Sequence, residues 1–122
     1  MPKFSNRSKE RLSTCKDSLQ VIMNEAIKEI DFTILEGHRS IARQHQLYKD
    51  GKSQIDGINK KGKHNYKPSL AVDVAPYPID WNDIDRFKEL AVIIKRIALE
   101  KGIKIVWGGD WKTLVDMPHY QV

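Results

Sequence analysis

The sequence has very little cysteine and no long apolar run, and each shortage excludes a class of protein. Its 122 residues include one cysteine, Cys15, which excludes an internal disulfide and a four-cysteine metal site. The longest apolar run, Leu90 to Ile94, is far too short to span a bilayer, so no membrane insertion is expected. The first residues are polar and lack the apolar stretch of a signal peptide. We therefore expect the protein to be made in the cytoplasm.

Several catalytic signatures are missing as well. The chain has no G-x-S-x-G elbow, no phosphate-binding loop and no dinucleotide-binding fingerprint. Its cysteine lies within a helical pattern with no histidine nearby in sequence, which argues against a thiol nucleophile.

The charge is unbalanced towards basic residues, with 21 lysines and arginines against 16 acidic residues and a net charge of +5. This excess fits a nucleic acid, a cell wall or an anionic membrane surface equally well, and it also serves solubility alone. No aromatic residues are interleaved among Lys60, Lys61 and Lys63, so nucleic-acid binding has no support beyond the net charge.

The length of 122 residues predicts one domain over residues 1–122, and the apolar spacing predicts an α+β fold. We expect a small antiparallel or mixed sheet with about three helices packed on it. The helices are predicted at 8–30, 40–50 and 83–102, and the strands at 31–35, 70–75, 103–107 and 116–122. A polar loop with several glycines and lysines fills residues 51–68, a length typical of functional or mobile loops.

Histidines and one misplaced carboxylate are the candidates for chemistry. Asp73 interrupts an apolar strand, where an ionised carboxylate is costly unless it is paired or binds a metal. His64 ends the long loop and His119 follows a proline in the tail, whereas His38 and His45 are competing ligands. Two histidines and one aspartate with an open position are typical of catalytic zinc. The pattern alone leaves open which of these residues converge, and a solvent-facing or lysine-paired Asp73 remains an alternative.

Five short segments together resemble the zinc L-alanyl-D-glutamate peptidases, which are related to the D-alanyl-D-alanine carboxypeptidases that cut peptidoglycan stem peptides. The similarity extends over about residues 32–120. The segments are E-G-H-R-S at 36–40, R-Q at 43–44 with L-Y at 47–48, His64 with S-L-A-V-D at 69–73, W-G-G-D-W at 107–111, and D-M-P-H at 116–119. In its small size and its lack of an added wall-binding domain, the chain resembles a phage endolysin.

The resemblance implies a role for each matching residue. His64, Asp73 and His119 would be the zinc ligands, and Asp116 would be the general base. Arg39 would hold a substrate carboxylate, which suits a planar two-pronged donor. Gln44 would support that region, and Trp107 and Asp110 would shape the cleft wall or orient a ligand, with core packing as the alternative for Trp107.

The chain departs from the family pattern at two points. Asp73 lies nine positions after His64, two more than the commoner spacing, and Gly62 stands where a serine is usual. We interpret the first as a widened loop. The second predicts that a supporting hydrogen bond is missing or comes from elsewhere.

The function implied is hydrolysis of the L-alanyl-D-glutamate bond of peptidoglycan by a monomeric, zinc-dependent endopeptidase, which acts on the wall after release through the membrane. One alternative is a D-alanyl-D-alanine carboxypeptidase, although such enzymes tend to place glutamate where this chain has Asp116. Another is a non-catalytic wall-binding module, but structural zinc normally has four protein ligands rather than three.

Overall fold

A computed structural model describes residues 2–122 and shows an α+β fold. Four strands form one antiparallel sheet in the order β1-β2-β4-β3, and four α-helices accompany it. The helices are α1 (Asn6–Ser13), α2 (Asp17–Ala26), α3 (Ile41–Lys49) and α4 (Ile84–Glu100), and the strands are β1 (Phe32–Glu36), β2 (Ala71–Pro76), β3 (Val106–Trp107) and β4 (His119–Gln121). The predicted fold class is therefore confirmed. No helix in the described part of the chain has the length and apolar character needed to cross a membrane.

The single helix predicted over 8–30 is instead two helices, so there are four rather than about three. The chain leaves the helical path at Thr14–Lys16 because this stretch pairs with a distant backbone. Lys16 N–H donates to the Ser69 carbonyl at 2.8 Å, and Ser69 N–H donates to the Thr14 carbonyl at 2.9 Å. A hydrogen-bond partner more than fifty residues away leaves no trace in local apolar spacing.

The ends of the other two predicted helices follow the expected capping chemistry. Ser40 accepts a hydrogen bond from the Arg43 N–H at 3.0 Å and starts α3, and Asp83 likewise caps α4. After α3, Gly51 adopts a φ of +75°, which ordinary side chains rarely adopt and which ends the helix.

The last two strands are shorter than predicted. Only Val106 and Trp107 pair in β3, and β4 covers His119–Gln121 rather than the whole tail. The residues before His119 form a turn that approaches the loop following β3, and this turn matters for the site.

The core lies between the sheet and the helix pair α2 and α4. Helix α4 buries one face, which consists of Phe87, Leu90, Ala91, Ile94, Ile97 and Ala98. Burial of each large side chain stabilises the fold by about 1.5–3 kcal/mol. The central strand β2 is flanked on both sides and mostly buried, so it provides a fixed base for the residues it carries.

Candidate metal centre and cleft

His64, Asp73 and His119 converge at one point on the sheet. Asp73 lies on β2 and faces its cross-strand partner His119 on β4, and His64 lies on a short 3₁₀ turn, Lys63–Asn65. One ligand atom from each residue lies within 4.8 Å of the others. Asp73 Oδ1 is 3.1 Å from His64 Nε2 and 3.1 Å from His119 Nδ1. His38 and His45 lie outside this group.

The hydrogen bonds around His64 fit a metal ligand. Its Nδ1 lies 2.7 Å from the Gly37 carbonyl, which can only accept, so Nδ1 carries the proton. A neutral ring then has only a lone pair at Nε2, and this lone pair faces the Asp73 carboxylate. Such a contact requires a second proton or a cation between the two atoms. Two ligands of a tetrahedral zinc ion stand about 3.3 Å apart, close to the spacing observed here.

The imidazole rings of His64 and His119 are each held by a polar group at the ring nitrogen remote from Asp73, as is usual for metal-binding histidines. Gly37 supports His64, and the Gln121 side-chain oxygen lies 2.7 Å from His119 Nε2. The Gly37 carbonyl therefore supplies a support that Gly62, with no side chain, does not offer.

The charges in the group depend on one another. Burial alone would raise the pKa of Asp73, but hydrogen bonds from His119 and His64 hold it well below its usual value. Burial would lower the pKa of His119, but the hydrogen bond and negative charge of Asp73 raise it. Asp73 is therefore an anion that favours positive charge beside it, whether a proton or a metal ion.

Asp116 stands beside the ligand group without belonging to it. It is half-buried and lines the same cleft as the three ligands. Burial, together with the negative charge of Asp73, raises the pKa of Asp116 above its usual value. A carboxyl group of this kind is better matched to proton transfer near neutral pH than an exposed aspartate.

Close backbone contacts hold Asp116 in place. Its N–H donates to the Gly108 carbonyl at 3.0 Å, and the Trp107 indole N–H donates to the Met117 carbonyl at 2.7 Å. A Cβ on Gly108 would lie 3.1 Å from Asp116 Cβ and would overlap the Asp116 carbonyl oxygen. Glycine at 108 is thus required by the approach of the Asp116 backbone.

Arg39 is engaged with protein partners in the described residues. Its guanidinium donates to both carboxylate oxygens of Glu36, at 3.1 and 2.7 Å, and to Gln44 Oε1 at 2.9 Å. The same group lies 3.7 Å from Asp73 Oδ2. To bind a substrate carboxylate, as the resemblance implies, Arg39 would have to exchange one of these partners. Gln44, for which the resemblance implies a supporting role, contacts the Arg39 guanidinium directly.

Trp107 and Asp110, which the resemblance places at the cleft wall or beside a ligand, are not among the residues that line the cleft, and Trp107 has the core position given as its alternative. Trp107 is buried in the core and packs against Tyr120, with ring centroids 6.4 Å apart. The Asp110 carboxylate points to solvent and pairs with Lys95 on α4 at 2.5 Å. Trp107 contacts the turn before His119 through its hydrogen bond to the Met117 carbonyl.

The cleft has a volume of about 900 Å³ and a basic rim. Glu36, Asp73 and Asp116 supply the negative charge inside it. The cations that line it besides Arg39 are Arg43, Lys52, Lys60, Lys61 and Lys63. Of these five, Arg43 has the one contact with a carboxylate side chain found among the described residues, at 3.9 Å from Glu36, and Lys63 Nζ lies 3.5 Å from the Val122 backbone oxygen.

Sequence reasoning did not assign three residues that shape the site. Glu36 binds Arg39, Gln121 supports His119, and the Trp111 ring lies 5.2 Å from the His119 ring. Glu36 and Trp111 lie within the segments that resemble the family, and this position is the sequence signal for them. Gln121 could have been found from strand alternation, because residues two apart in β4 share a face.

The antiparallel sheet of this α+β fold presents two histidines and one aspartate to an open cleft, with a free carboxylate beside them. This arrangement defines a candidate metallohydrolase. The family model described as phage L-alanyl-D-glutamate peptidase matches residues 1–120. The L-alanyl-D-glutamate peptidase of Escherichia phage T5 is 34% identical over 119 residues, which cover 93% of this chain and 85% of that protein. The chain belongs to the phage L-alanyl-D-glutamate peptidase family.

Two further relatives agree. The peptidoglycan L-alanyl-D-glutamate endopeptidase CwlK of Bacillus subtilis (strain 168) is 32% identical over 114 residues, covering 80% of this chain and 64% of that protein. The crystal structure of the Serratia marcescens L-Ala D-Glu endopeptidase ChiX superposes with a TM-score of 0.85 at 34% identity, covering 98% of this chain and 90% of that one. The fold and the family assignment therefore come from both sequence and structure.

Proposed function

We propose that this protein is a zinc-dependent peptidoglycan endopeptidase that hydrolyses the L-alanyl-D-glutamate bond of the stem peptide. Family membership supports the bond, and one observation supports the chemistry: a His64, Asp73 and His119 group opens into a cleft beside the free carboxylate of Asp116. We assign residues 1–122 to a single catalytic domain. Its role is that of a monomeric phage endolysin that is made inside the host and acts on the cell wall.

The three ligands favour zinc over harder cations, because two imidazoles and one carboxylate suit zinc better than magnesium or calcium. A zinc ion held by His64, Asp73 and His119 would lower the pKa of water and polarise a carbonyl. The protein residues hold the imidazoles in the correct tautomer, since Gly37 fixes the proton of His64 on Nδ1. Asp73 supplies the charge that the cation requires.

Asp116 is the proposed general base. Its raised pKa and its place in the cleft allow it to accept a proton from the attacking water. The same carboxyl group then donates the proton to the departing amine of D-glutamate. The turn held by Trp107 and Gly108 keeps the carboxylate at a fixed position during both transfers.

The basic rim is the proposed contact for the acidic substrate, since a stem peptide carries free carboxylates. Lysines 52, 60 and 61 line the cleft and form no ion pair within the described residues. They are therefore available to substrate without the exchange that Arg39 would need. A direct contact between Arg39 and a substrate carboxylate, with Gln44 behind it, stays a prediction for the complex with substrate.

Digestion of purified peptidoglycan, with and without a chelator, tests the proposal. The expected products are soluble stem peptides that begin at D-glutamate, identified by mass, absent with chelator and restored by zinc. Release of terminal alanine alone would replace the proposed bond by that of a D-alanyl-D-alanine carboxypeptidase. Wall binding with no released product from any wall type would support the binding module instead.

A further inference from the structure

Gln44 is the one buried side chain of helix α3, and its position is unusual for an amide. It is 2% exposed, whereas the rest of α3 is exposed or partly exposed. A buried amide destabilises a fold unless its polar atoms are hydrogen-bonded. Every polar atom of Gln44 has a partner, and these partners belong to two different parts of the site.

The amide nitrogen of Gln44 binds the long loop. It donates to Ser53 Oγ and to the Ile55 carbonyl, both at 2.8 Å. The same stretch packs on the aliphatic part of the side chain, because a Cβ on Gly57 would lie 3.0 Å from Gln44 Cβ and Cγ. Gln44 therefore anchors the Ser53–Gly57 segment.

The amide oxygen of Gln44 binds the metal side of the cleft. It accepts from Arg39 Nη1 at 2.9 Å, and the same guanidinium lies 3.7 Å from Asp73 Oδ2. Asp73 thus has one oxygen directed at the two imidazoles and the other directed at Arg39. The backbone of Arg39 is tied to the third ligand, since its N–H donates to the His64 carbonyl at 2.7 Å.

We infer that Gln44 is a positioning residue that couples the Ser53–Gly57 segment to the orientation of the metal ligand Asp73 through Arg39. The inference rests on the proposed function, because it assumes that Asp73 holds zinc. In this arrangement Arg39 supports the metal ligand Asp73. The loop that carries Lys52 and Lys60 is then held at a fixed position relative to the metal. Reciprocity follows, so zinc binding stabilises the segment as much as the segment stabilises the ligand.

Two substitutions of Gln44 separate the two connections. Gln44→Met removes both, whereas Gln44→Glu keeps an acceptor for Arg39 and loses the donor to Ser53 and Ile55. Gln46→Met is the matched control, since Gln46 is an exposed residue of the same helix. Zinc affinity is measured by competition with a chromogenic chelator, and order of the segment by the rate of tryptic cleavage at Lys52 and Lys60.

Gln44→Met should weaken zinc binding roughly tenfold, the lower end of the loss seen when a group supporting a ligand is removed, and should speed loop cleavage severalfold. Gln44→Glu should speed cleavage while zinc affinity stays within about threefold of wild type, and Gln46→Met should change neither. Faster cleavage with unchanged zinc affinity in Gln44→Met would overturn the coupling, as would no change in either.

The wild-type protein gives a second test that does not depend on a variant folding. Zinc should slow cleavage at Lys52 and Lys60 in wild type, and this protection should be smaller in Gln44→Glu, which still binds zinc. Equal protection in both would contradict the inference. A wild-type protein that binds no zinc would instead overturn the proposed function, and loop cleavage in the variants would still decide whether Gln44 anchors the segment.

Discussion

Replacement of Asp116 by asparagine separates catalysis from metal binding. Asparagine has nearly the same shape as aspartate but cannot accept a proton at neutral pH. The contacts that hold residue 116 are made by its backbone, so the substitution leaves them intact. Its N–H donates to the Gly108 carbonyl at 3.0 Å, and its carbonyl accepts from the His119 N–H at 3.2 Å. The ligand group of His64, Asp73 and His119 does not include this side chain. The variant should therefore fold and bind zinc as the wild type does.

The expected loss follows from the role of the carboxylate. General acid–base catalysis by a positioned side chain contributes about 10²–10⁴ in rate, which corresponds to about 2.7–5.5 kcal/mol in the barrier. The stability of the Asp116→Asn variant should not fall with its activity. Burial and the charge of Asp73 raise the pKa of Asp116, so the ionised carboxylate is less favourable in the folded state than in water. A neutral asparagine should leave the melting temperature of the metal-free protein unchanged or slightly higher.

The assay compares turnover of purified peptidoglycan, zinc content by elemental analysis and thermal unfolding. Asp110→Asn is the matched control, because it makes the same chemical change on a side chain that faces solvent and pairs with Lys95. We expect kcat/KM to fall at least a hundredfold in Asp116→Asn and to stay near wild type in Asp110→Asn. A fully active, zinc-loaded Asp116→Asn protein would refute the assignment of the base, and a strongly impaired Asp110→Asn would restore the predicted cleft role of that residue.

Three further outcomes are expected. Gly108→Ala should lower kcat about tenfold and stability by about 1–3 kcal/mol, measured by kinetics and denaturant unfolding, because the added methyl overlaps the Asp116 backbone; wild-type values would refute this close approach. Because burial raises the pKa of Cys15 to about 11, its thiol should react with a disulfide reagent at pH 8 only after unfolding, and rapid reaction of the native protein would contradict this. Replacing both Lys60 and Lys61 by glutamine should raise KM for the anionic peptide at low salt, and this difference should disappear at high salt; a salt-independent difference would argue against an electrostatic role.

Most of the fold could be predicted from local patterns, because helix caps and apolar spacing act over a few residues. Ser40 and Asp83 mark helix starts by side-chain chemistry that is visible in the sequence. The break at Cys15 could not be predicted in the same way. It depends on backbone pairing with Ser69. The apolar spacing continues through the break, because Cys15 is buried whether the segment is one helix or two.

The candidate site likewise has features that the sequence predicts and features that depend on the tertiary structure. The composition of the ligand set follows from residue types, and the motifs select which histidines to consider. The partners of Arg39 do not follow, because its contact with Gln44 depends on where α3 lies relative to β1. The positions of Trp107 and Asp110 likewise depend on the path of a short turn after β3, where the chain passes from the buried Trp107 to the exposed Asp110 within three residues.

The anomaly of Asp73 explains why the site lies where it does. A carboxylate on a central strand would be unfavourable alone, and neighbours on both flanking strands compensate it. Strand β4 places His119 directly opposite Asp73, and strand β1 places Glu36 opposite it on the other side, next to an irregularity in the pairing after Ile34. Glu36 carries negative charge and would by itself add to the electrostatic repulsion at Asp73. Its pairing with Arg39, however, brings a guanidinium to the second oxygen of Asp73. A slip of one residue in β2 would turn the carboxylate to the opposite face and separate it from these partners. The register of the sheet and the chemistry of the cleft therefore select the same structure.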